Sequence, residues 1–214
     1  MDCVVFGFDD GELKVLLIER ALEPFKGKWA LPGGFVRVDE TLDDAARREL
    51  GEEAGLKDVF LEQLYTFGTV DRDPRERIVS VAYYALVKLA AHDTKAATDA
   101  ADARWYPISK VPKLAFDHAD ILGAAVKRLR GKLGYAPVGY ELLPRSFTLR
   151  QLQDIHEAIL GRALNKDSFR RRMLAGGHLR ATGQREADVA YRPAELYRFV
   201  KNTSPRGRKE NNDG

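Results

Sequence analysis

The 23 residues from Gly34 to Leu56, GFVRVDETLDDAARRELGEEAGL, crowd glycines, glutamates and arginines into a spacing that restricts what this stretch can become. Gly34 is followed by Glu40, then by Arg48-Glu49-Leu50, Glu52-Glu53 and Gly55-Leu56. Thr41 with Asp44 three residues on reads as a capping box that starts a helix at about Leu42. Leu42, Ala46 and Leu50 recur at four-residue steps and give an apolar stripe for a core. Glu49, Glu52 and Glu53 stand at i, i+3 and i+4, so three carboxylates converge on a neighbouring face. Ionised carboxylates that close repel one another unless a cation sits among them. Hard oxygen donors of this kind suit Mg²⁺ or Mn²⁺. Arg48 lies one turn from Glu52 and is placed to hold it by a charge-assisted hydrogen bond. An acidic run on a helix is usually a solvated face. Here the Gly33-Gly34 turn before the helix and the Gly55 stop after it favour a built site. Gly51 costs the helix roughly 1 kcal/mol relative to Ala.

Carboxylates that gather divalent ions fit attack by water on a diphosphate, whose charge the ions neutralise. One glutamate, Glu52 or Glu49, then serves as general base. The stretch resembles the Nudix box, with every constrained position filled. The resemblance implies an α/β/α sandwich around a mixed sheet and hydrolysis of a nucleoside diphosphate linked to another group. It places Mg²⁺ (or Mn²⁺) on Glu49, Glu52 and Glu53, with Glu49, Glu52 and Arg48 as the catalytic set. Members of the family usually carry residues ahead of the first strand, so a preceding segment is an expectation.

The bulk composition sets the frame for that site. A chain of 214 residues with 44% hydrophobic residues makes one large domain, or a medium one and a small one. Cys3 is the sole cysteine; no intrachain disulfide is available, and a reducing, cytoplasmic setting is expected. No apolar run reaches membrane-span length and no signal pattern opens the chain, so no membrane partner is expected. The net charge of +3 is unevenly spread. Residues 146–214 hold 14 Lys/Arg against 8 Asp/Glu, and the preceding 145 hold 21 against 24. An acidic front and a basic back suggest different partners, nucleic acid for the second.

Along the chain, 2–8 and 13–18 with Asp9-Asp10-Gly11 between them predict a hairpin. Strands are expected over 59–69, 78–89 and 104–108, with Trp105 in the core, and a loose Ala- and Asp-rich excursion over 90–103. The segment 70–77 is a charged loop whose DRDPR core resembles that of the ADP-ribose-handling branch of the family. Arg72 and Arg75 are thereby candidates for diphosphate or ribose contact, beside a plain reading as a solvated hairpin tip. The family likewise places an arginine at the end of the second strand on substrate phosphate, here Arg20, and the substrate-binding set closes with Gly33 and Gly34. Asp117 is expected to cap a periodic helix, with His118 at its start either a functional residue or, on the plainer reading, an exposed helix N-terminal histidine. His92, His156 and His178 lack a partner pattern.

Residues 134–146, with two Pro and two Gly, read as a linker after a first domain of 1–133. Periodicity starts afresh over 147–201. Thr148 with Gln151 caps a helix ended by Gly161, and Asn165 caps a second in which Phe169, Met173 and Leu174 face inward. Lys166, Arg170, Arg171 and Arg172 crowd the rest of that helix. Two short strands, 178–182 and 195–200, flank a polar loop holding Arg185 and Arg192. Helix, basic helix and a two-stranded wing resemble a winged helix-turn-helix whose second helix enters a major groove while the wing meets phosphate. The DNA-binding candidates are Lys166, Arg170, Arg171, Arg172 and Arg192, and residues 202–214 are expected to be disordered. With AFDHADIL, ELLPRSFTLRQLQDIHEAILG and NKDSFRRRML, the chain resembles the Nudix-related transcriptional regulators of NAD metabolism. That implies ADP-ribose or a related nucleotide as ligand, operator DNA as partner and a homodimer. The alternative is a plain ADP-ribose pyrophosphatase whose second domain serves oligomerisation.

Overall fold

Strands β1 (Asp2–Asp9) and β2 (Glu12–Glu19) form the expected antiparallel hairpin. Its turn residues Asp10 and Gly11 both take positive φ, the two-residue geometry that matches strand twist. The structure is a computed structural model that describes residues 1–89, 102–133, 138–187 and 189–200. The excursion beginning at Ala90 therefore lies largely outside the described residues, with His92, as does the polar tail from 201 onward. The short β3 (Trp29–Ala30) and β6 (Ala103–Pro107) both pair antiparallel with β2. Strand β5 (Ser80–Lys88) runs parallel to β1, and β4 (Phe60–Phe67) antiparallel to β5, which makes the sheet mixed.

Alternate residues of β1 and β5 face opposite sides of the sheet, and both sides are covered. On one side Cys3, Val5, Tyr83 and Ala85 meet Ala46, Leu50 and Ala54 of helix α1 (Leu42–Ala54). Leu42, expected in that stripe, sits in the first turn and is 39% exposed. The Thr41–Asp44 capping box forms as read, and Gly55 ends the helix in the left-handed region. On the other side Val4, Phe6, Tyr84 and Leu86 meet Ile121, Ala125 and Leu129 of helix α2 (His118–Lys132). The result is the α/β/α sandwich.

The second half folds as helix α3 (Leu149–Leu160), helix α4 (Lys166–Ala175) and the antiparallel strands β7 (Leu179–Arg185) and β8 (Glu195–Phe199). Thr148 and Gln151 form their capping box, and Asn165 accepts from the Ser168 amide. Phe147 and Tyr197 exchange two backbone hydrogen bonds, which adds a third short strand to the ribbon. Helix α4 buries only Phe169, so Leu174, read as inward-facing, is 41% exposed.

The segment read as a linker has a different character where it is described. Val138, Leu142 and Leu143 are buried in the same apolar cluster as Val15 and Leu17 of β2, Ile155 of α3, and Phe169 and Tyr197. One core therefore runs through both halves. The Arg130 side chain adds a polar tie, donating from Nε to the Ile159 carbonyl at 2.8 Å.

Candidate ligand and metal site

A cavity of about 570 Å³ opens between the end of β2, the turn around Gly33-Gly34, the 72–80 loop and Phe116. Its volume falls within the range of small-molecule sites. Arg20, Gly33, Gly34, Glu53, Arg72 and Arg75, all singled out from the sequence, line it together.

Helix α1 delivers the carboxylates to one end, but the three do not converge as a set. Arg48 bridges two of them: its Nη1 donates to Glu49 at 2.7 Å and to Glu52 at 3.0 Å. Its Nε and Nη2 grip Glu40 at 2.9 and 2.7 Å. Glu53 turns the other way and accepts from the Gly33 amide at 2.8 Å. Among the described residues no group of three or more His, Cys, Asp or Glu is arranged to hold a metal ion. The local physics nevertheless fits a cation. Burial pushes the Glu53 carboxyl up to about 7, against the Gly33 hydrogen bond and with the neighbouring charge of Glu49 adding to the rise. A Cβ on Gly34 would stand 2.2 Å from a carboxylate oxygen of Glu49, so a side chain there would displace that carboxylate.

The opposite wall is cationic. The Arg20 guanidinium lies 4.7 Å over the Phe116 ring and donates from Nε to the Pro24 carbonyl at 2.8 Å. It enters no salt bridge among the described residues. Burial, and next the charge of Arg75, draw its pKa down. Arg75 approaches the same ring at 6.0 Å while Asp73 accepts from its Nε and Nη2 at 3.0 and 2.8 Å. Phe116 and Phe25, packed edge to face at 4.8 Å, both hold positive φ, a strained conformation for bulky residues.

Arg72 lines the cavity from a position where its donors are already engaged. It is buried and donates to both oxygens of Asp117, at 2.9 and 2.7 Å, and to Asp2 at 3.2 Å. Asp117 accordingly heads helix α2 without capping it through its side chain. His118 is buried rather than exposed: its Nδ1 accepts from the Leu31 amide at 2.9 Å, and Nε2 faces Asp2 at 3.2 Å. The Nε2–H tautomer satisfies both contacts. Ser80 donates to Asp2 at 2.5 Å. Burial alone raises the Asp2 carboxyl, but hydrogen bonds from His118 and Ser80 hold it well below the usual range. This polar floor under the cavity joins β1, β5, the 72–80 loop and the head of α2. Sequence reasoning missed Asp2, Ser80 and Phe116, whose partners lie far along the chain; the AFDHADIL segment was the sole pointer.

In the second half, Lys166, Arg170, Arg171, Arg172 and Arg192 are all exposed. Arg172 leans over the Phe169 ring at 5.7 Å, which leaves the other four extended from the surface.

Comparison with known proteins matches both halves. The NUDIX domain profile covers residues 1–144, and the profile of the NrtR DNA-binding winged helix domain covers residues 139–199. The chain is 41% identical to the ADPR responsive transcriptional repressor NtrR of Acinetobacter baylyi over 94% of its own length and 81% of that protein. It is 40% identical to the ADP-ribose pyrophosphatase of Methanocaldococcus jannaschii, over 55% of this chain and 69% of that one. The crystal structure of Shewanella oneidensis NrtR complexed with a 27mer DNA superposes with a TM-score of 0.82 at 38% identity, covering 93% of this chain and 92% of the other.

Proposed function

Because the chain belongs to the NrtR family of Nudix proteins, we propose that it is an ADP-ribose-responsive repressor whose winged helix binds operator DNA. The observation that carries the ligand half is the pairing of Arg20 and Arg75 against Phe116 in the cavity that also holds Glu53 and the Gly33-Gly34 turn. Two arginines opposite a backbone turn suit a diphosphate, which guanidinium groups bind through parallel N–H donors. In this reading Arg20 and Arg75 take the phosphates, and Gly33 and Gly34 let the backbone approach them. Arg72 shapes the floor of the site through Asp2 and Asp117. Lys166, Arg170, Arg171 and Arg192 contact DNA, with Arg172 behind them, and the protein acts as a homodimer.

The complete box supports retained hydrolysis of ADP-ribose to AMP and ribose 5-phosphate. Glu49, Glu52 and Glu53 would hold Mg²⁺ or Mn²⁺, which when bound stabilises the charge developing on the diphosphate. Arg48 fixes Glu49 and Glu52, and one of those two accepts the proton of the attacking water. An exposed basic α4 supports the regulator over a pyrophosphatase with a purely oligomerising second domain.

Retention of the gene's own upstream duplex on a gel, with and without ADP-ribose, tests the reading. Retention that ADP-ribose alters is expected, because a ligand binding one of two states better must shift DNA affinity. A protein that retains no duplex but hydrolyses ADP-ribose with metal would establish the pyrophosphatase instead.

A further inference from the structure

Between Arg72 and Arg75 the same loop sets an acid into the cationic wall: Asp73 lines the cavity with its side chain only 5% exposed. Carboxylates are seldom so buried unless they are paired. Oδ1 accepts from the Arg75 amide and from Arg75 Nε, each at 3.0 Å, and Oδ2 accepts from Arg75 Nη2 at 2.8 Å. The Arg75 side-chain hydrogen bond, opposed by burial, holds the carboxyl below its ordinary range, so Asp73 is charged at neutral pH. Its charge reaches Arg20 as well, where it works against the lowering by Arg75. An ionised carboxylate accepts about four hydrogen bonds. Arg75 supplies three of them, and no other described residue donates to Asp73, so Oδ2 retains one acceptor position. Arg75 in turn commits only its Nε–Nη2 edge. Its Nη1 has no partner among the described residues, which leaves the Nη1–Nη2 end of the guanidinium for phosphate.

We propose that Asp73 is a specificity-determining residue of this site: it accepts a hydroxyl from the group that caps the diphosphate, and it disfavours nucleotides whose last phosphate is free. The inference rests on the nucleotide-binding reading above and deepens it by naming the ligand class, a nucleoside diphosphate closed by a neutral polyol. Arg20 and Arg75 share the Phe116 ring, at 4.7 and 6.0 Å, so a diphosphate between them lies beside the Asp73 carboxylate. The two classes of ligand meet that carboxylate differently. A sugar hydroxyl donates to the remaining position on Oδ2, a charge-assisted bond. A terminal phosphate monoester offers only acceptor oxygens and carries an additional negative charge near neutral pH. Set against a buried carboxylate it is repelled, which is selection by a penalty on the wrong partner. The same residue holds the Arg75 guanidinium in place, so positioning and discrimination come from one side chain.

The test is calorimetric titration of the full-length protein with ADP-ribose, ADP and ATP in EDTA, where no metal supports turnover. Wild type, Asp73→Asn and Arg75→Ala are compared. The wild type should prefer ADP-ribose to both uncapped nucleotides. Asparagine keeps an acceptor for the Arg75 amide and Nε but removes the charge. It should bind ADP-ribose about tenfold more weakly, the usual cost of losing a hydrogen bond to an ionised group. ADP and ATP should bind at least as tightly as before, so the preference contracts by about tenfold or more. Arg75→Ala should instead weaken all three ligands by a similar factor. If Asp73→Asn gives that uniform loss, with the preference intact, Asp73 only holds Arg75 and the specificity assignment is overturned. A wild type that binds ADP as tightly as ADP-ribose overturns it without any variant, while the ADP-ribose reading stands. A wild type that binds none of the three, in EDTA or in Mg²⁺, overturns both.

Discussion

Arg72 shows how a side chain that lines the cavity also carries the fold. Its guanidinium is only 5% exposed and serves two aspartates that β1 and α2 bring together. Arg72→Ala would leave Asp2 and Asp117 without their cation, so a loss of about 3–5 kcal/mol is expected in urea denaturation. Lysine should restore little of it, since one ammonium cannot replace the fork that spans both Asp117 oxygens. Arg75, whose side chain is 45% exposed, should behave oppositely on truncation to alanine, with stability held and ADP-ribose affinity lowered in calorimetric titration. A second residue predicts a pH dependence. His156 of α3 packs against Phe169 of α4 at 5.0 Å, and its buried Nδ1 has no hydrogen-bond partner. Burial, and then the charge of Arg172, lower its pKa from 6.5 to about 4. The unfolded chain therefore takes up this proton first. The contribution is intact above the ordinary value of 6.5 and is lost progressively as pH falls toward about 4, by up to about 3 kcal/mol. Urea midpoints of wild type and His156→Leu should diverge across that window, with the variant showing the shallower fall. Parallel curves would exclude His156 as the source.

Among the elements, the helix starts followed from local chemistry and the polar floor did not. Thr41 with Asp44, Thr148 with Gln151, and Asn165 each cap through atoms within three residues, and all three form as read. Thr148→Ala, which removes the acceptor for the Gln151 amide, should cost about 1 kcal/mol, measurable as a lower urea midpoint. The box was legible in the same way, because Arg48 and Glu52 are one turn apart and meet at 3.0 Å. Spacing on a helix could not show that Glu40, eight residues away from Arg48, takes two of its donors, nor that Glu53 turns to Gly33. Asp117 failed as a cap for a related reason. Its carboxylate is claimed by Arg72, 45 residues earlier, and a buried bidentate pair outweighs one terminal amide. His118 is buried by contacts with Leu31 and Asp2 that no local pattern encodes. Pro and Gly mark a change of chain direction equally well in solvent and against a core, so the burial of Val138, Leu142 and Leu143 between the two halves was not legible.

Across the whole molecule, α2 touches both functional ends. Its first residues, Asp117 and His118, belong to the polar floor of the cavity, and near its other end Arg130 binds the Ile159 carbonyl at the close of α3. A cation at a helix C-terminus is favourable, so this contact fixes where α3 ends against α2. Together with the shared core, it predicts that the two halves unfold as one unit. Both tryptophans, Trp29 and Trp105, lie in the first half, whereas helical circular dichroism sums α1 and α2 of that half with α3 and α4 of the second. Thermal transitions followed by tryptophan fluorescence and by circular dichroism should therefore coincide. Saturating ADP-ribose, at 100 times its dissociation constant, should raise both together by the equivalent of about 2.7 kcal/mol. Arg130→Met should weaken the junction, so that the ligand still protects the fluorescence transition while the part of the dichroism that α3 and α4 contribute is lost at a lower temperature. If the two probes separate already in the wild type, ligand and DNA are coupled by some route other than this common core.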